Sequence, residues 1–281
     1  MIPTFSHGVH RTLRNASLFT AIAFVLAGCA GTHHPTSSLV IDDSIKAVSQ
    51  DTRVRYIVLH YTSADLATSL KILSTGRVSA HYLVTDDARP HVYRLVDETR
   101  NAWHAGASRW YQQVSLNPVS IGIEIVNPGR SDDGNGQHHW APYTEPQIQT
   151  LITLLKELIA RHDIRPENIV GHSDIAPQRK IDPGPLFPWK QLAAAGIGRW
   201  YDEARAATHW VTLQRQGVPD TAWFQRRLTQ LGYACPQHGD MDRETQNVLA
   251  AFQMHYRPGN HDGKPDAETA AIMMALLEST N

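Results

Sequence analysis

The segment Val54-Arg55-Tyr56-Ile57-Val58-Leu59 is rich in β-branched residues and nearly all apolar. Such a strand is buried on both faces, which demands a sheet covered on both sides. A second run, Ser120-Ile121-Gly122-Ile123-Glu124-Ile125-Val126, puts its three isoleucines on one face and Gly122, Glu124 and Val126 on the other. Weaker strands are expected over residues 82–85, 91–96 and 168–171. Between them Thr144-Glu145-Pro146-Gln147 opens a helix with a capping box and an early proline. Ile148, Leu151, Ile152, Leu155, Leu158 and Ile159 then recur at helical spacing to about His162. Strands alternating with helices predict an α/β fold, a mixed central sheet flanked by helices.

After about residue 200 the strand signals stop. Three helical stretches are expected over residues 220–231, 242–256 and 266–278, with Phe224, Leu228, Leu231, Val248, Leu249, Phe252, Ile272, Met273 and Leu276 at core spacing. Asp242-Arg243-Glu244-Thr245 and Asp266-Ala267-Glu268-Thr269 each follow a glycine-bearing turn, a small internal repeat. The expected division is a catalytic domain over 51–200 and a separate small three-helix domain over 211–281. With 42% hydrophobic and 19% charged residues, the chain has material for both cores. Its net charge of −1 supplies no field to concentrate nucleic acid, so that class is set aside.

The N-terminus carries Arg11 and Arg14, an apolar run over 18–26, then Ala27, Gly28 and Cys29. The run is about half the roughly 20 residues a spanning helix needs, so residues 1–28 read as a signal peptide. Leu26-Ala27-Gly28-Cys29 looks like a bacterial lipobox. That implies a lipid on Cys29, a polar tether over 29–50 and attachment to membrane. With Ala30 following, the sorting pattern of such lipoproteins favours the outer membrane, facing the periplasm. Cys235 then has no intrachain partner and is expected to be a small buried hydrophobe.

Of sixteen histidines, two stand apart. His60 and His172 each end an apolar strand, where α/β folds gather functional side chains. Asp182 follows in Lys180-Ile181-Asp182-Pro183-Gly184. Two imidazoles and a carboxylate form a zinc set that leaves one position for water. Spacing alone leaves both histidines open to a second reading, as satisfied core residues.

The segments Val58-Leu59-His60-Tyr61-Thr62, Ser79-Ala80-His81-Tyr82-Leu83-Val84, Ala102-Trp103-His104-Ala105-Gly106, Asn117-Pro118-Val119-Ser120-Ile121-Gly122-Ile123-Glu124 and Gly171-His172-Ser173-Asp174-Ile175-Ala176-Pro177 resemble, in order, the motifs of the type-2 N-acetylmuramoyl-L-alanine amidases. The resemblance covers roughly residues 53–192. Lipobox and C-terminal module together resemble the AmiD-type lipoprotein branch. It implies the type-2 amidase fold, shared with peptidoglycan recognition proteins, and one zinc ion on His60, His172 and Asp182. Glu124 would be the base and Lys180 the oxyanion partner. Trp103, His104 and Asn117 would line a substrate groove, with Gly122 leaving room for substrate. The C-terminal module resembles the three-helix peptidoglycan-binding domain, so the implied partners are peptidoglycan and muropeptides.

Bland readings stand beside these roles. Glu124 and Lys180 also fit a structural ion pair, Lys180 also fits a residue orienting Asp182, and Trp103 and His104 also fit loop packing. His81 reads as structural or supporting. Two other functions compete: a recognition protein on the same fold that binds without cutting, and a zinc peptidase of peptidoglycan.

Overall fold

The computed structural model describes residues 39–50, 52–135 and 138–279. Cys29 and the signal segment lie outside the described residues. Backbone contacts divide the chain into a unit that ends at Ser49 and a compact unit over Gln50–Asn281. Residues 39–49 of the first are exposed and carry no helix or strand. No described helix is long and apolar enough to cross a membrane.

In chain order the second unit runs β1 (Tyr56–Tyr61), α1 (Leu66–Thr75), β2 (Tyr82–Val84), β3 (Val92–Arg94), β4 (Arg109–Trp110), β5 (Gln113–Val114), β6 (Ser120–Ile125), β7 (Arg130–Asp132) and β8 (His138–Trp140). It continues with α2 (Glu145–His162), β9 (Ile169–Gly171), α3 (His172–Ile175), α4 (Trp189–Ala194), α5 (Glu203–Gln216), α6 (Thr221–Gln230), α7 (Arg243–Tyr256) and α8 (Ala267–Glu278). A five-stranded sheet has the order β3-β2-β6-β1-β9, with only β3 antiparallel, so the expected mixed sheet is present. The expected strands and the long helix form within a residue or two of their limits. Helix α1, helix α5 and the hairpins β4–β5 and β7–β8 were not foreseen.

The period-two alternation sorts the sheet's side chains between two cores. Ile57, Leu59, Ile121, Ile123 and Ile125 pack with Ile148, Leu151, Leu155 and Leu158 of α2. Thr144 caps α2, its hydroxyl accepting from the Gln147 amide at 3.3 Å. The capping box is only half made, because the Gln147 side chain donates instead to Val126 O at 2.8 Å and ties α2 to the end of β6.

Tyr56, Val58 and Val170 face the other way and join one continuous core with Trp110, Leu116, Phe224, Tyr233, Phe252 and Leu276. The C-terminal module is therefore not a separate body: its core is the cover of the sheet's second face. The hairpin β4–β5 docks on it through Tyr111 N, which donates to Gly232 O at 2.8 Å. Gly232 (φ 109°) is required there, since a Cβ would stand 2.8–2.9 Å from the Tyr111 and Trp110 rings.

The internal repeat has a physical basis. Gln225 Nε2 donates to Thr245 Oγ1 at 2.9 Å and its Oε1 accepts from Gly239 N at 2.8 Å. Gln253 repeats the pattern with Thr269 Oγ1 at 3.1 Å and Gly263 N at 2.8 Å. Asp242 and Asp266 cap α7 and α8 as the sequence suggested. Helix α5 lies along α8, so a boundary at residue 211 would cut through α5.

A shared core predicts shared cooperativity. Denaturant unfolding followed by near- and far-ultraviolet circular dichroism is expected to give one transition. Phe252→Ala should shift all of it, by about 3–5 kcal/mol. A second transition indifferent to Phe252 would show that the sheet domain folds without the module.

Candidate metal centre and catalytic groove

Strands β9, β1 and β6 are parallel neighbours, and their register sets the site. Leu59 stands opposite Gly171, and His60 opposite Glu124. His172, one step beyond Gly171, thus continues the row of His60 and Glu124. His172 opens the one-turn helix α3 rather than the expected loop. Asp182 arrives from a loop held by Ser173 N, which donates to Asp182 O at 2.8 Å. Gly171 permits that approach, because a Cβ would stand 2.7 Å from Pro183 Cδ.

The sequence-expected ligands come together. His60 Nδ1 lies 2.9 Å from His172 Nδ1 and 3.0 Å from Asp182 Oδ2, and His172 Nδ1 lies 3.2 Å from the same oxygen. All three residues are buried. A tetrahedral cation with bonds near 2.0 Å has ligand–ligand edges of about 3.3 Å, so the triangle has the size of one face of such a shell.

Hydrogen bonding on the far sides fixes which nitrogens carry protons. Ser120 Oγ gives its one hydrogen to Leu116 O at 2.7 Å and must accept from His104 Nε2 at 3.1 Å. His104 Nδ1 is then an acceptor, and His60 Nε2–H donates to it at 3.0 Å. His60 Nδ1 is left as a lone pair facing the centre. His172 Nε2 donates to Ala105 O at 3.1 Å, the nearby Arg179 Nη2 having its hydrogens on Ala105 O and Ala107 O. Its Nδ1 is likewise a lone pair. Two nitrogen lone pairs and a carboxylate oxygen at this separation repel one another unless a cation sits between them, and the set fits a metal ion.

Electrostatics agree. Burial, then the His172 ring, bring His60 down to about 4, so it is neutral at physiological pH. Burial also holds His104 well below its ordinary value. Burial, then the charge of Asp182, push Glu124 well above the ordinary carboxylate range, and Lys180 pulls the other way.

These residues line a groove of about 510 Å³ that holds the metal set, Glu124 and Lys180 together. Glu124 Oε2 is buried without a hydrogen-bond partner. Among the described residues no ion pair joins Glu124 to Lys180, so the reading of them as a structural pair finds no contact. Arg130 and Arg179 also line the groove and were missed; Arg179 stands beside Lys180 in the sequence, the one hint available.

Two expectations about the groove change. His104 does line it, buried beside His60, where the structure also gives it the tautomer-setting role above. Gly122 makes room for that ring rather than for substrate, since a Cβ would stand 2.3 Å from His104 Cγ. Asn117 spends its side-chain oxygen on the amides of His104 and Ala105, at 3.2 and 2.8 Å, and so props the loop. Trp103 is exposed and lines an adjoining hollow with Leu73 and Val78. His81 is structural, accepting from Gly122 N at 3.0 Å and donating to Arg100 O at 3.1 Å.

The module reaches the site through Asp174. Its carboxylate accepts from Gly171 N at 2.7 Å, Tyr233 Oη at 2.8 Å and His255 Nδ1 at 2.8 Å. Two of those donors belong to the module, and the third is the residue before His172.

Residues 50–185 match the family model described as N-acetylmuramoyl-L-alanine amidase, and residues 217–273 match one described as "Putative peptidoglycan binding domain". The chain is 43% identical to N-acetylmuramoyl-L-alanine amidase AmiD of Escherichia coli K12 over 95% of this chain and 98% of that one. A solved structure of AmiD from E. coli in complex with the substrate anhydro-N-acetylmuramic acid-L-Ala-D-gamma-Glu-L-Lys superposes with a TM-score of 0.80, at 42% identity, covering 87% of this chain and 96% of that one. AmpDh3 of Pseudomonas aeruginosa in complex with anhydromuramic pentapeptide gives 0.81, at 44% identity over 86% and 99%.

The relay behind His60 is testable by metal affinity alone. Ser120→Ala leaves His104 free to turn its proton toward His60, and partners of this kind typically carry 10–100-fold in metal affinity. Competition with a chromogenic chelator should show a loss of about that size for zinc. An unchanged dissociation constant would contradict the relay.

Proposed function

Because this chain belongs to the N-acetylmuramoyl-L-alanine amidase family, we propose that it is a zinc amidase of peptidoglycan. It hydrolyses the amide between the lactyl group of N-acetylmuramic acid, its 1,6-anhydro form included, and the L-alanine that begins the stem peptide. The observation that carries this reading is the convergence of His60 Nδ1, His172 Nδ1 and Asp182 Oδ2 within 3.2 Å, beside a Glu124 oxygen that nothing else uses. The donor set of two neutral imidazoles and one carboxylate suits zinc in a catalytic site. Zinc held there supplies Lewis acidity and brings the pKa of a water toward about 7.

The chain's own residues supply the rest. Glu124, its proton affinity raised by burial, takes a proton from the attacking water as the new C–O bond forms. The Lys180 ammonium sits against the amide oxygen as it gains charge. When the C–N bond breaks, Glu124 returns the proton to the departing L-alanine nitrogen, so the products are a lactyl carboxylate and a free amine. Arg130 and Arg179 on the groove wall offer cations to carboxylates of the stem. The non-cutting recognition reading is disfavoured because all five chemical positions are present in one groove.

Mass spectrometry of a defined anhydromuropeptide digested by the purified chain tests this. The expected products are the intact sugar with its lactate and the intact stem, lost with chelator and restored by zinc. Fragments of stem still on the sugar would mean a peptidase, and undiminished cleavage in metal-free protein would overturn the mechanism. Glu124→Gln should keep zinc and lose about 10²–10⁴ in kcat, and Lys180→Met about 10²–10³. Metal-free Glu124→Gln should also melt above the metal-free parent at neutral pH, since the folded parent must there either take up a proton or bury a charge. The sign follows from a folded pKa above the unfolded one: the parent's deficit is absent below about 4.3, grows as pH rises above it and is complete once pH passes the folded value. No difference in melting at neutral pH would contradict the burial account.

The N-terminal motif supports a lipid anchor on Cys29 and a place on the outer membrane facing the periplasm. There the anchor would hold the groove near its polymer, with the C-terminal module adding a second attachment. Cys29→Ser should abolish incorporation of labelled palmitate; continued labelling would discard the anchor.

A further inference from the structure

A second cavity, of about 540 Å³, lies where α4, the segment 200–203 and the end of α7 meet. It shares no lining residue with the catalytic groove. Its volume is in the range of small-molecule sites, and its walls are aromatic. The rings of Trp189, His255 and Tyr256 form a continuous stack, at 3.8 Å and 12°, then 4.1 Å and 15°. Trp200 stacks on Tyr201 at 5.0 Å and 26°, and both are half-buried and line the cavity.

Four buried side-chain atoms among the described residues have no hydrogen-bond partner: Arg53 Nε, Glu124 Oε2, His255 Nε2 and Arg257 Nε. Native proteins rarely leave such atoms unpaired without a use for them. One belongs to the proposed base; two belong to residues that line this second cavity. Their chemistry is complementary. His255 Nδ1 donates to Asp174, so in the neutral ring Nε2 is an acceptor. Arg257 Nε–H is a donor, the other end of its guanidinium being bound to Asp266 at 2.5 Å and Glu268 at 3.1 Å. Lys190 is likewise paired with Glu203, at 2.5 Å. The basic side chains around the cavity are thus neutralised, which disfavours an anionic stem peptide as the occupant.

We propose that this cavity binds a neutral N-acetylated hexosamine of a glycan strand. The aromatic faces take the apolar face of the sugar, while acceptor and donor answer the N–H and C=O of the acetamido group. The proposal rests on the reading of the chain as a peptidoglycan amidase and adds where the glycan is held. A strand gripped at the junction of module and sheet raises the effective concentration of its stems at the groove.

The test uses the zinc-loaded chain, titrated with a tetramer of β-1,4-linked N-acetylglucosamine and with the same tetramer stripped of its acetyl groups. The acetylated tetramer should bind at least tenfold tighter and shift the ¹⁵N resonance of His255 Nε2. Trp200→Ala, and separately Tyr201→Ala, should weaken that binding and retention on purified sacculi at least tenfold, with zinc content and circular dichroism kept; the exposed Asn260→Ala supplies a variant that spares the core. A parent chain retained on sacculi as firmly as all three variants, equal affinity for the two tetramers, or a silent His255 resonance would overturn the site. Failure of the parent chain to bind sacculi at all would instead remove the peptidoglycan reading on which it rests.

Discussion

Two imidazole lone pairs and a carboxylate oxygen, held within 3.2 Å of one another in a buried place, are the constraint around which this protein is arranged. Left alone they repel, and burial amplifies the repulsion. The fold holds them by three independent means. Parallel register puts His60 and Glu124 side by side and delivers His172 next to them. The Leu116, Ser120 and His104 relay leaves His60 no choice of tautomer. Ala105 O does the same for His172. The cost falls on Glu124, whose buried oxygen lacks a partner and whose carboxyl resists ionisation, the condition that suits a proton carrier working near neutral pH.

The C-terminal module belongs to this arrangement. Tyr233 and His255 hold the Asp174 carboxylate, which in turn receives the amide of Gly171, and the module's core covers the sheet face from which His60 and Glu124 project. A peptidoglycan-binding module built this way joins recognition of the polymer to the integrity of the catalytic centre. Removing it is therefore expected to damage cleavage of small substrates too, in contrast to a module that merely tethers.

Strands β1 and β6 and helix α2 were legible because their burial is written as periodicity: β-branched runs for the strands, i, i+3, i+4 spacing for the helix. His60 and His172 were legible for the same reason, as polar groups ending apolar runs. Asp182 was less so: it is the loop carboxylate that follows His172, nothing else local distinguishes it from other loop carboxylates, and the resemblance gives it its weight. Helix α5 escaped because it buries only Ala206 and Leu213 and borrows its stability from α8. The role of His104 escaped for a different reason. Its partners Ser120, Leu116 and His60, and the glycine that makes room for it, are spread over the chain and meet only through strand pairing. Gly122 was noticed as space but assigned to the wrong occupant. Asn117 looked like a groove residue because its work, bridging two backbone amides, leaves no mark in sequence.

The most direct test is a crystal of the zinc-loaded protein with anomalous scattering measured on both sides of the zinc edge. The arrangement requires one peak bonded to Nδ1 of His60, Nδ1 of His172 and a carboxylate oxygen of Asp182, with His60 Nε2 still on His104. A metal bound through either Nε2, or a fully loaded protein with no peak inside this triangle, would contradict it.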